Sequence, residues 1–141
     1  MIDDRTTTYV IAAQPVFEDL RQVAAQIAGL LVLAATGSKD STPDHPMLLL
    51  SRQVFAQADE GVRRATPLVT ESTCRHYQGI SGAGASLRLA LDSAGAWPLD
   101  VEAVLAPLRD AYAHLQQAAS ALPGFQMVSF EQACCSVRAT V

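Results

Sequence analysis

Cys74 and His76 are the side chains whose types and spacing best suit chemistry in this sequence. A vicinal pair, Cys134 and Cys135, follows near the other end of the chain. Thiolates and an imidazole suit Zn²⁺ or Cu⁺, so a soft-metal or thiol-sensing site would form if the tail folded back over this segment. Adjacent cysteines lack the two-residue gap of common zinc knuckles, and free cysteine is often simply buried. We therefore favour core packing for the cysteines and predict neither a bound metal nor another cofactor.

His76 is followed by small residues in the segment HYQGISGAGASLRL. This segment resembles histidine phosphotransfer domains, which are four-helix bundles with an exposed helical histidine. In that family a Lys-Gly step and small residues after the histidine let a response regulator approach. Here Gly79 comes one position early, and Gln78 stands where a lysine is expected. The resemblance implies that His76 is a phosphoacceptor, and this role is an alternative to our main hypothesis.

The other ionisable residues form no catalytic pattern. Carboxylate-bridged di-iron bundles need Glu-x-x-His motifs, and the sequence contains none. His45 falls in a connector, and His114 borders an apolar stripe, where a histidine is more often part of the packing than a ligand or a base. We therefore predict a protein that is not an enzyme. The helical wheel places these carboxylates on outer faces: Glu18, Asp19, Glu102 and Asp110.

Charge and composition restrict the partners. The chain has 141 residues and a net charge of −4, which opposes affinity for phosphate backbones and anionic lipid. We therefore expect no nucleic-acid partner and no membrane partner. The longest apolar run, residues 23–35, is shorter than the roughly 20 residues that span a bilayer. Three cysteines and an acidic start without a secretory signal indicate a reducing cytoplasm.

Four stretches carry apolar residues at three- and four-residue spacing, and clusters of Pro, Gly, Ser, Thr and Asp separate them. This periodicity predicts an all-α fold, an up-and-down four-helix bundle, in a single domain of residues 1–141. Pro15 is expected in the first turn of the first helix, and Asp100 is expected to be the N-cap of the fourth. The predicted helices cover residues 15–36, 46–66, 70–95 and 101–122.

The segments outside these helices are also assigned. We predict a short N-terminal arm over residues 1–13, a connector over residues 37–46 and a short C-terminal helical tail over residues 124–141. The alternative for the two ends is a strand pairing of residues 125–130 with residues 6–11.

The third predicted helix carries Gly79, Gly82 and Gly84 at its centre. Each interior glycine costs a helix about 1 kcal/mol relative to alanine, so three within six residues need an explanation. Either the helix breaks here, or a neighbouring helix packs unusually close. We predict close helix packing at all three glycines.

Surplus apolar surface indicates self-association. Half of the residues are hydrophobic and 17% are charged. We predict a homo-oligomer, with a dimer favoured, that acts through protein contacts. A different protein partner and an apolar ligand held between helices by small facing residues are the alternatives. The predicted interface residues lie opposite the core stripe of the first helix or outside the third helix: Ala25, Gly29, Val32, Leu33 and Leu89.

Overall fold

The computed structural model describes residues 4–35, 46–95, 100–122 and 125, with the helical backbone alone for residues 32–35. It confirms the all-α four-helix bundle, and the described ranges contain no strand. A short 3-10 helix, Thr66–Leu68, precedes the third helix. The four α-helices are α1 (Asp4–Ala35), α2 (Pro46–Ala65), α3 (Cys74–Ala94) and α4 (Val101–Ala121).

Contacts between the helices define an up-and-down arrangement. In α1 and α2, the Ser51 hydroxyl donates to Gln26 Oε1 at 2.7 Å, and Gly61 lies against Val16, so the two helices are antiparallel. α3 and α4 form the second closely packed pair. The pairs meet where α1 contacts α3 and α4 and where α2 contacts α3. The N-terminal ends of α1 and α3 therefore lie at the same end of the bundle.

The core is built from the predicted apolar stripes. Burial of a leucine, isoleucine or phenylalanine side chain stabilises a fold by roughly 2 kcal/mol, and every helix contributes such residues. Side chains with no more than 1% exposure include Phe17, Leu20, Ile27, Leu48, Ile80, Leu87, Leu108 and Leu115.

α1 begins at Asp4 instead of near Pro15. The expected N-terminal arm is therefore part of this helix from residue 4 onward, and the alternative strand pairing of residues 6–11 is excluded. Pro15 lies inside the helix, where it removes one backbone hydrogen bond. Tyr9 and Ala13, six and two residues before the proline, are fully buried, and their burial offsets this loss.

The remaining boundaries follow local signals. Asp100 caps α4 as predicted, because its carboxylate accepts hydrogen bonds from the backbone of Glu102 and Ala103 at 3.1 and 3.4 Å. α3 begins at Cys74, after a turn in which the Thr70 backbone N–H donates to Thr73 Oγ1. The predicted connector over residues 37–46 lies outside the described residues except for Pro46, and nearly all of the predicted tail lies outside them as well. No helix in the described ranges is long and apolar enough to cross a bilayer.

Candidate functional site

His76 lies in the first turn of α3 and is fully buried. Its Nδ1 is 2.7 Å from the hydroxyl oxygen of Tyr9 on α1. The rings of Phe125 and Phe17 pack on the imidazole at centroid distances of 4.4 and 6.3 Å. We call these four residues the aromatic cluster. It joins the first halves of α1 and α3 to the segment that follows α4.

Burial keeps the cluster neutral. Loss of solvation lowers the pKa of His76 to about 4, and it raises the pKa of the Tyr9 phenol, with smaller contributions from Tyr77 and Cys74. When the Tyr9 hydroxyl donates to Nδ1, the imidazole proton lies on Nε2. Nε2 is buried and has no hydrogen-bond partner among the described residues. An unpaired buried donor is unfavourable, so the packing of the surrounding rings must hold the imidazole in place.

The predicted phosphoacceptor is therefore not exposed. His76 is fully buried, whereas the neighbouring Tyr77 is half-buried. The sequence did not indicate Tyr9 as a site residue. Tyr9 lies in the first turns of α1, and its hydroxyl is the polar partner of the imidazole. A phosphoryl donor needs an accessible ring nitrogen, and in this arrangement neither nitrogen is accessible.

Only part of the proposed soft-metal site falls within the described residues. Cys74 is a free, half-buried thiol, while Cys134, Cys135 and His45 lie outside the described residues. Within the described ranges, no group of three His, Cys, Asp or Glu side chains could hold a metal ion.

Tyr9→Phe tests the polar contact of the aromatic cluster. The substitution keeps the ring and removes the hydroxyl, which leaves Nδ1 of His76 buried without a partner. We expect the free energy of unfolding to fall by about 1–2 kcal/mol. Urea denaturation at pH 7 measures this loss. Tyr77→Phe is the matched control, because its hydroxyl contacts the exposed Thr66 at 2.8 Å and should cost less.

The glycines of α3 have different surroundings, although the helix is continuous through all of them. A Cβ atom at Gly79 would lie 2.7 Å from Ala118 Cβ and 2.8 Å from the carbonyl oxygen of His114. A Cβ atom at Gly82 would lie 2.7 Å from Nδ1 of the half-buried His114 ring. At Gly84 it would meet no atom of the described residues within 4 Å, so these residues do not provide the expected close packing there.

The open space at Gly84 belongs to a cleft between α2 and α3, with a volume of about 440 Å³. Leu20, Phe55 and Val62 form its apolar part. A smaller cleft of about 280 Å³ continues from it towards Arg52 and Asp92 and shares lining residues with it. We call the two together the α2–α3 cleft. The other residues that line it are Ala56, Asp59, Ser81, Ala85, Arg88, Leu89 and Leu91.

The predicted interface residues lie on two helices, α1 and α3. Leu89 on α3 is 61% exposed and Ala25 on α1 is exposed. Gly29 is half-buried and faces the sulfur of Met47. The side chains of Val32 and Leu33 lie outside the described part of α1, and the exposed Ile11, Leu49 and Leu50 were not anticipated.

Comparisons of this chain with protein-family models, with curated proteins and with solved structures found no match. Two features of the chain itself therefore bear on its function: the buried aromatic cluster and the open α2–α3 cleft. The cluster is closed to solvent, whereas the cleft is open to an occupant.

Proposed function

We propose that this protein is a small helical-bundle module that associates with itself and acts through protein contacts. The observation that carries the proposal is the α2–α3 cleft, whose apolar residues lie beside the exposed side chain of Leu89. Apolar surface gains roughly 25 cal/mol per Å² when a partner removes it from water. A face that combines an open apolar depression with a protruding leucine is suited to contact with another protein.

The distribution of polar groups also supports an interaction role. The histidine is fully buried, and its pKa of about 4 leaves it uncharged near neutral pH. The cleft is lined by Arg52, Asp59, Arg88 and Asp92, so its charges balance. A balanced rim favours a protein surface over a polyanion, which would oppose the two aspartates and the net charge of −4.

We also propose that the protein works in the cytoplasm. The support is chemical: Cys74 is a free, half-buried thiol, and such thiols persist in a reducing compartment. A homodimer that buries about 1,600 Å² in total is the simplest assembly of this kind.

The molar mass in solution tests self-association. Light scattering on a sizing column should return about twice the 15.0 kDa of one chain at tens of micromolar protein. Leu89→Glu places a charge on the proposed contact face and should return the mass to that of one chain. Ile11→Glu is the matched control, because Ile11 is 69% exposed on α1 and does not line the α2–α3 cleft, so the mass should stay unchanged. A wild-type mass of one chain at every concentration contradicts the proposal.

A further inference from the structure

Gly84 is the glycine of α3 whose presence the packing of the described residues does not explain. Glycine inside a helix is unfavourable relative to alanine, and Gly79 and Gly82 offset this cost by the close approach of α4. Among the described residues, no atom lies within 4 Å of a Cβ atom placed at Gly84. Its effect is to keep the α2–α3 cleft open above Leu20 and Phe55. An open cleft maintained at the expense of helix stability indicates an occupant.

Leu89 supplies a matching side chain on the same face. It lines the edge of the cleft and is 61% exposed, so it is a protruding apolar group beside an open apolar depression. Five residues turn an α-helix by about 140°, and Gly84 and Leu89 therefore lie on opposite flanks of the outward face of α3. Leu89 also lies about 7.5 Å further along the helix than Gly84, so a two-fold axis inclined to α3 brings the Leu89 flank of one copy against the Gly84 flank of the other. Because the dimer is two-fold symmetric, this contact occurs twice, once at the cleft of each copy.

The charges around the cleft favour the same occupant. Arg88 and Asp92 lie on α3, and Arg52 lies on α2, and none of the three forms an ion pair within the described ranges. Asp59 has an exposed pair with Arg63 at 3.2 Å. A second copy carries both signs in the same arrangement and can offer each charge an opposite one. A fatty acid or another anionic amphiphile would pair with the two arginines, but the two aspartates would repel it.

We infer that the α2–α3 cleft of each chain receives the Leu89 side chain of a second copy of this chain, in a two-fold dimer. This inference rests on the proposed self-association and specifies the surface that produces it. Small residues beside the cleft, Ser81 and Ala85, let the two α3 helices approach.

Two complementary variants test the inference. Gly84→Leu fills the cleft from within the chain, and Leu89→Ala removes the protruding side chain. Each homodimer should weaken about tenfold or more, as expected for a lost buried leucine contact. Mixing the two variants should restore dimer formation. In the heterodimer, Leu89 of the Gly84→Leu chain enters the open cleft of the Leu89→Ala chain. At the other contact, the short alanine side chain faces the filled cleft. With a mass tag on one variant, native mass spectrometry of an equimolar mixture should show clearly more heterodimer than the half of all dimers that random pairing gives.

The controls separate the ways in which the inference can fail. Far-ultraviolet circular dichroism checks that both variants fold. Leu89→Ala changes an exposed position, so at least this variant should fold as the wild type does. A wild-type chain that is monomeric contradicts both the inference and the proposed self-association. A wild-type dimer that neither variant weakens, or a mixture that gains no heterodimer, overturns the inference alone. Binding of the dye 8-anilinonaphthalene-1-sulfonate to a monomeric wild type, abolished by Gly84→Leu, would assign the cleft to a small apolar ligand and also overturn it.

Discussion

Gly79→Ala should lower the free energy of unfolding by about 2 kcal/mol, although alanine favours a helix by about 1 kcal/mol. The added methyl group would lie 2.8 Å from the carbonyl oxygen of His114 and 2.9 Å from the backbone nitrogen of Ala118. Both atoms belong to the backbone of α4, so no side-chain rotation relieves the contact. The two helices would have to separate, and this separation disturbs the most extensive helix contact in the bundle. Urea denaturation monitored by circular dichroism measures the loss.

Gly84→Ala is the matched control for Gly79→Ala. The substitution is the same, the helix is the same, and the positions are five residues apart, but the new methyl group meets open space. Stability should therefore rise by up to about 1 kcal/mol, the difference in helix propensity. The comparison is made in dilute protein, where the single chain is measured. Equal stabilities of the two variants would contradict the close approach of α4 at Gly79.

The helical architecture could be predicted because it depends on periodicity and local caps. The start of α2 at Pro46 and the capping of α4 by Asp100 agree with the sequence prediction. The start of α1 was misplaced, because Pro15 is also a common first-turn residue. Extending the apolar stripe towards the N-terminus predicts an earlier start of α1, since Tyr9, Ala13 and Val16 continue the three- and four-residue spacing.

The site was harder to predict because its properties arise between elements that are distant in sequence. The spacing of His76, Ile80, Ala83 and Leu87 places the histidine in the stripe, and this signal could have shown that it is buried. Nothing in the sequence identifies Tyr9, 67 residues earlier, as its hydrogen-bond partner. The glycines show the same limit of sequence-based prediction. Gly79 faces the backbone of α4, whereas Gly84 faces open space among the described residues, and the residue type is the same at both positions.

Acid should destabilise the protein between pH 6.5 and about pH 4, through His76. The imidazole has its ordinary pKa of 6.5 in the unfolded chain, whereas burial lowers the pKa to about 4 in the folded chain. Between these values the unfolded chain binds the proton and the folded chain does not, so falling pH favours unfolding. The contribution is absent above the upper value and reaches up to about 3 kcal/mol at the lower one. Urea denaturation at a series of pH values measures it.

His76→Asn isolates this contribution. An asparagine side-chain oxygen can accept the Tyr9 hydroxyl hydrogen bond, but the amide does not titrate in the window. The variant should be less stable at pH 7, because a smaller side chain packs against Phe17 and Phe125, yet its stability should depend less on pH. Burial and the neighbouring Glu18 raise the pKa of Asp19, and that carboxyl group acts in the opposite direction in both proteins. Parallel stability curves for the wild type and His76→Asn from pH 6.5 to pH 4 would show that His76 is not held neutral by burial. A magnetic-resonance titration in which the His76 ring protonates near its ordinary pKa would show the same.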